Sequence, residues 1–140
     1  MLAKGADDIL KAGGNIGLGG HGEMQGLQVH WEMWALAAGG MSNLNVLRVA
    51  TLESAKAIGL DSELGSLKAG NFADLLILDK NPLEDIANTN TVGRVMVNGT
   101  LYDANTLAKQ WPVKKPLAKL WWQSPVKPDA HTLIHTKKNP

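Results

Sequence analysis

The 140-residue chain contains no cysteine. Disulfides and thiolate metal centres are therefore excluded, while the compartment is left open. It also lacks a charge excess: 14 basic residues stand against 13 acidic ones, for a net charge of +1. That removes the bulk electrostatic case for nucleic acid or for an acidic surface as a partner. No apolar run reaches the roughly 18 residues that a membrane span needs. The opening stretch MLAKGADDILKAGG mixes acids with small residues and has no apolar central region, so it does not read as a secretory leader. Phe and Tyr occur once each, against five Trp. Such rings are expected where a large side chain packs with its N–H near a polar partner. No internal repeat is present.

With 44% hydrophobic residues the chain can bury a core, and its length is typical of one domain. Ala3, Ala6, Ile9 and Leu10 share one face and predict a helix over residues 3–12, ended by Gly13-Gly14. Residues 15–18 predict a short strand. Leu27, Trp31, Trp34, Ala35 and Ala38 recur at helical spacing up to Gly39-Gly40. Ser42 is placed to cap a second helix carrying Leu44, Val46, Leu47, Val49 and Ala50. Thr51 is placed to cap a third, Leu52 to Ile58, so that the two form a bent or stepped pair.

Beyond Leu60 the pattern changes. Residues 73–79, ADLLILD, predict a strand whose continuous apolar run implies burial on both faces. Asn81 and Pro82 predict a cap and first position of a short helical piece. Val92 to Val97 alternates, Asn98-Gly99 is the preferred type I′ dipeptide, and Thr100-Leu101-Tyr102 returns, which predicts a hairpin. The sheet is expected to run to about residue 105. Residues 111–140 hold five of the six prolines together with Trp111, Trp121 and Trp122, and read as an extended tail.

The stretch GLGGHGEMQG, residues 17–26, concentrates glycine around His21 and Glu23. An imidazole can ligate zinc or act as a base near neutral pH. The two readings are a catalytic lip and a plain glycine turn. The glycines do not fit G-x-G-x-x-G, and no P-loop lysine follows, so a nucleotide is not expected. His30 and Glu32 are two apart on a helix and do not share a face, which favours separate polar contacts over joint ligation. His131 and His135 have ligand spacing but lie in the tail without a helix signal. Trp31 and Trp34 read as packing residues, and Asp74 as a partner for a local turn.

Three segments carry a family resemblance. GSLKAGNFADLLILD (residues 65–79), VMVNGTLY (95–102) and ATLESAKAIGL (50–60) are similar to segments near the C-terminus of the amidohydrolase superfamily. Gly20-His21-Gly22-Glu23 with His30-Trp31-Glu32 further resembles the imidazolonepropionase-like branch, especially members fused behind a β-propeller. The likeness spans about residues 5–112. It implies a mixed α/β fold: residues 1–60 as the last strand and helices of an incomplete (β/α)8 barrel, 61–110 as part of a mostly antiparallel β-sandwich, and 111–140 as a tail. A complete barrel takes about 200 residues or more.

The resemblance also implies a function. A complete parent would hydrolyse a C–N bond, in an amide or cyclic amide, through water activated on zinc or another divalent metal. In most of that superfamily the last barrel strand ends in Gly-x-Asp, whose aspartate binds metal. His21 stands at the corresponding place, and is the candidate catalytic and metal-binding residue, with Glu23 as a second catalytic group. The family's paired histidines, its lysine or glutamate bridge and its two later histidines are absent from these residues. The expectation is therefore a C-terminal portion of an amidohydrolase, inactive and without metal by itself, whose partner is the N-terminal barrel portion. The alternative is a non-catalytic interaction protein. Its strands would lack sheet neighbours, so a homo-oligomer completing the sheet between copies is expected, without nucleic acid or membrane.

Overall fold

A computed structural model describes residues 2–123, so His131, His135 and the rest of 124–140 lie outside the described residues. In chain order α1 (Leu2–Lys11), α2 (Gln28–Ala38), α3 (Asn43–Arg48) and α4 (Ser54–Ala57) precede β1 (Leu75–Leu78), β2 (Val92–Val97), β3 (Thr100–Asp103) and β4 (Lys109–Trp111). A π-helical turn, Val49–Glu53, links α3 to α4, and 3₁₀ turns occupy Ile86–Asn90 and Trp121–Gln123. The result is mixed α/β with an antiparallel sheet.

The core belongs to the helical half. Met33, Met41, Val46 and Val49 are buried together, and Ala6, Leu10, Ile16, Leu18, Trp34 and Ile86 pack around them. Val46 and Val49 are wholly inaccessible. Their three-residue spacing places both on one side of the helix, and each such burial stabilises by about 1.5–3 kcal/mol. Ser42 caps α3 as expected, its Oγ accepting from the Asn45 N–H.

Three helical expectations are corrected. The predicted face of α2 is largely its outer one: Leu27, Trp31, Ala35 and Ala38 are exposed, and Met33 is the buried residue, with Trp34 and Ala37 beside it. QVHWEMWALAA is apolar nearly all round, so periodicity alone does not choose a side. Thr51 is no cap. It sits inside the π turn and donates its hydroxyl back to the Leu47 carbonyl at 2.8 Å, a bond that competes with capping. The bent pair is one helical run with a widened turn. Finally, Asn81 does accept from the Leu83 N–H, but Pro82 to Glu84 form only a turn. The helical piece begins after Asp85, whose carboxylate accepts from the Ala87 N–H.

Residues 15–18 pair with no strand among the described residues, which corrects the expected first strand. A strand exists through its ladder, and here the N–H groups of Leu18 and Gly19 are taken by the side chains of Ser54 and Glu32.

The sheet has the order β1-β2-β3-β4. The hairpin closes as expected, Val97 opposite Thr100, with Asn98 and Gly99 at φ 46° and 72°, the left-handed pair a type I′ turn requires. The expectation that residues 73–79 are buried on both faces is overturned. The strand spans only Leu75–Leu78, and Leu76 is 57% exposed. No residue of the four strands is fully buried, because no second layer covers the sheet among the described residues. The sheet also outruns its expected end at 105, since Leu101 pairs with Trp111 in β4.

Candidate functional site

The glycine-rich stretch runs between the core residue Leu18 and the start of α2. Gly22 and Gly26 adopt φ 84° and 81°. His21 itself stands at φ 48°, an unusual conformation for a residue with a side chain. Such outliers cost about 1–3 kcal/mol and cluster at functional sites. The backbone doubles back tightly here, with the His21 N–H donating to Gly19 O at 2.6 Å.

His21 and Glu23, the two residues singled out from the sequence, come together on this lip. His21 Nδ1 lies 3.5 Å from Glu23 Oε1. Their side chains are 83% and 73% exposed, so water screens the pair. Open to solvent, neither side chain is held in place by the other.

Glu32 is the anchor that sequence reasoning missed. Both of its carboxylate oxygens accept from the Gly19 N–H, at 3.1 and 3.0 Å. The first turns of α2 thus hold the base of the lip. His30 does not join in. Its Nδ1 lies 3.2 Å from the Thr89 hydroxyl, and its pKa is lowered by burial. The expected separation of His30 from Glu32 is what the helix geometry produces. Trp34 packs beside His30 and donates its indole N–H toward both Ile86 O and Thr89 Oγ1, each at 3.1 Å. Asp74 accepts from the Asn98 N–H and supports the hairpin turn, so it serves a backbone turn as expected, but one 24 residues away rather than a local one.

Ser54 ties the lip to the π turn. Its hydroxyl donates to Val49 O at 2.6 Å and accepts from the Leu18 N–H at 3.0 Å. An open groove of about 460 Å³ follows this junction, walled by Gly17, Leu18, Thr51, Ser54, Leu64 and Asp74 among others. Near it, Glu53 is covered by Lys56 and Arg48, which lower its pKa, the hydrogen bond from Lys56 being the larger cause. The contact between Leu18 and Ser54 has no local sequence signature, since the two are 36 residues apart.

A catalytic divalent metal takes about three protein ligands. Among the described residues no group of three His, Cys, Asp or Glu side chains could hold one. His21 and Glu23 supply at most two, both facing water, so the residues present do not fit a resident metal by themselves. No helix among the described residues is long and apolar enough to cross a membrane.

Comparison with known proteins supplies the family context. The sequence model of the amidohydrolase family matches residues 4–102. An ochratoxinase of Aspergillus niger is 34% identical over 84 residues, covering 59% of this chain and 18% of that protein. A 5-methylthioadenosine/S-adenosylhomocysteine deaminase of Teredinibacter turnerae is 34% identical over 73 residues, covering 52% and 16%. Among solved structures, a Xaa-Pro dipeptidase with bound methionine superposes with a TM-score of 0.64 at 28% identity, over 73% of this chain and 25% of that one. A molinate hydrolase gives 0.59 at 27% identity, over 86% and 24%. The chain thus spans less than a fifth of these curated relatives and about a quarter of these solved chains.

Proposed function

Because the chain belongs to the amidohydrolase family, we propose that it supplies one lip of an active site that hydrolyses C–N bonds in amides or cyclic amides. Residues 1–60 are then the end of a (β/α)8 barrel and 61–110 part of its β-sandwich, whose sheet β4 carries on to Trp111. His21 is the catalytic residue of this lip and Glu23 its second catalytic group. The supporting observation is the lip itself: a histidine held at φ 48° beside a carboxylate, on a loop clamped at Gly19 by Glu32. Strain of this kind persists only where surrounding contacts over-determine it.

The family resemblance implies zinc or another divalent ion in a complete enzyme, where a metal ion would polarise the scissile carbonyl and activate water. The residues here do not build that centre, so the remaining ligands belong to the N-terminal barrel portion. The isolated chain is inert in this reading. Native mass spectrometry with added zinc, paired with a hydrolysis assay on N-acyl amino acids, tests it. The expected result is no stoichiometric metal adduct and no turnover. Stoichiometric zinc together with hydrolysis, both lost in His21→Ala, would overturn it.

A second reading rests on the two sheet edges. The β4 edge is blunted: Lys109 and Lys115 exchange both backbone hydrogen bonds. The β1 edge, LLIL, carries no charge and no proline, the composition that recruits another strand. In this reading copies of the chain pair along β1 and form a non-catalytic homo-oligomer. Size-exclusion chromatography with light scattering would show an oligomer that Leu76→Lys converts to monomer. A monomeric wild-type chain would exclude this reading.

A further inference from the structure

Thr89 is 3% exposed and its hydroxyl oxygen meets three neighbours. It lies 2.9 Å from Ile86 O, 3.1 Å from Trp34 Nε1 and 3.2 Å from His30 Nδ1. A threonine hydroxyl has one hydrogen to give and two lone pairs to receive with. Ile86 O can only accept and the indole N–H can only donate. Two oxygens 2.9 Å apart in a buried setting repel unless a proton lies between them, so the Thr89 hydrogen points at Ile86 O. One lone pair then takes the indole N–H. The third neighbour must donate into the other lone pair, which requires the proton of His30 to sit on Nδ1.

We propose that Thr89 is a positioning residue that holds His30 as the Nδ1–H tautomer, so that α2 carries an Nε2 able only to accept a hydrogen bond. This goes beyond the reading of His21 and Glu23 and does not depend on it. Among the described residues nothing bonds Nε2. The ligand class follows from the lone pair: an amide N–H, an ammonium or a hydroxyl hydrogen, and not an acceptor such as a bare carbonyl. Arrangements in which the second ring N–H is bonded elsewhere are how proteins fix which imidazole nitrogen is available. The charge-neutral surroundings are consistent with this. The 3₁₀ turn Ile86–Asn90 has no ionisable residue, its capping Asp85 is engaged with the Ala87 N–H, and on α2 Glu32 is engaged with Gly19. Burial accordingly favours the neutral ring.

Long-range ¹H–¹⁵N correlation spectra of the full chain, above the titration of the ring, read which nitrogen of His30 bears the proton. The expected result is a protonated Nδ1 and a bare Nε2 in the wild type and in Thr89→Ser. In Thr89→Val, which keeps the shape but has no lone pair, the tautomer should shift toward Nε2–H. The Trp34 indole resonance, still bonded to Ile86 O, reports whether that variant is folded. A wild-type ring protonated on Nε2 would overturn the proposal. So would a folded Thr89→Val with its tautomer unchanged. Neither outcome bears on whether His21 is catalytic.

Discussion

Ser54→Ala is the substitution whose cost follows most directly from the geometry. The serine hydroxyl performs two tasks at one point: it donates to Val49 O at 2.6 Å and accepts from Leu18 N–H at 3.0 Å. Alanine keeps the backbone and helix propensity and removes both bonds. Each net hydrogen bond contributes about 0.5–1.5 kcal/mol, and more where the abandoned partner stays dry. The two together amount to about 1–3 kcal/mol, set against a typical domain stability of 5–15 kcal/mol. Urea denaturation should show a lower midpoint at unchanged slope, since no surface is newly exposed in the folded state. Hydrogen exchange at the Leu18 amide should quicken with it, because that N–H has lost its acceptor. An unfolding free energy within about 0.3 kcal/mol of wild type and unaltered Leu18 exchange would refute the reasoning, and show that water replaces the hydroxyl without cost.

Three further outcomes are expected. In Glu32→Gln the Gly19 amide loses its charged acceptor. Discounted for exposure the loss is about 1 kcal/mol, so Gly19 exchange should rise several-fold by NMR, and no change would remove the clamp from the account of the lip. Glu53 has a folded pKa below its ordinary 4.5, so its stabilising contribution is complete above that value and is lost as pH falls through the lower folded one. Its partners are themselves 53% and 39% exposed, which limits the effect to about 1 kcal/mol; the stability gap between wild type and Glu53→Gln, followed by urea titration, should close as pH is lowered from about 6 to 3, and a gap that widens would contradict the sign. Gly65 has φ 80°, and a Cβ there would lie 2.8 Å from Thr51 O and 2.9 Å from the Leu52 Cα. Gly65→Ala should cost about 3 kcal/mol, whereas Gly13→Ala, at φ 84° with nothing within 4 Å, should cost only about 1 kcal/mol for its backbone strain; equal costs would mean that packing plays no part.

The chain's local signals depend on nearest neighbours, and those were legible in advance. Asn98-Gly99 dictates a turn because φ is positive at both positions, whatever surrounds it. Ser42 caps α3 through an N–H three residues away. His21 and Glu23 are two residues apart, so their meeting on one loop needed no tertiary information. The family segments are equally local.

Tertiary structure decided whatever depends on distant partners. Which side of α2 is buried turned on α1 and α3, since QVHWEMWALAA offers apolar residues to either side. Thr51 and Ser54 look like equivalent hydroxyls in the sequence, and both bond back along their own helical run; only packing let Ser54 also accept from Leu18. Residues 15–18 have strand composition, yet a ladder needs a neighbouring strand, and the Ser54 hydroxyl took the Leu18 N–H while Glu32 took that of the adjoining Gly19. The proton on His30 is the furthest case. It depends on the lone-pair count of a hydroxyl 59 residues away, because a hydrogen bond is set by where atoms arrive and not by their order along the chain.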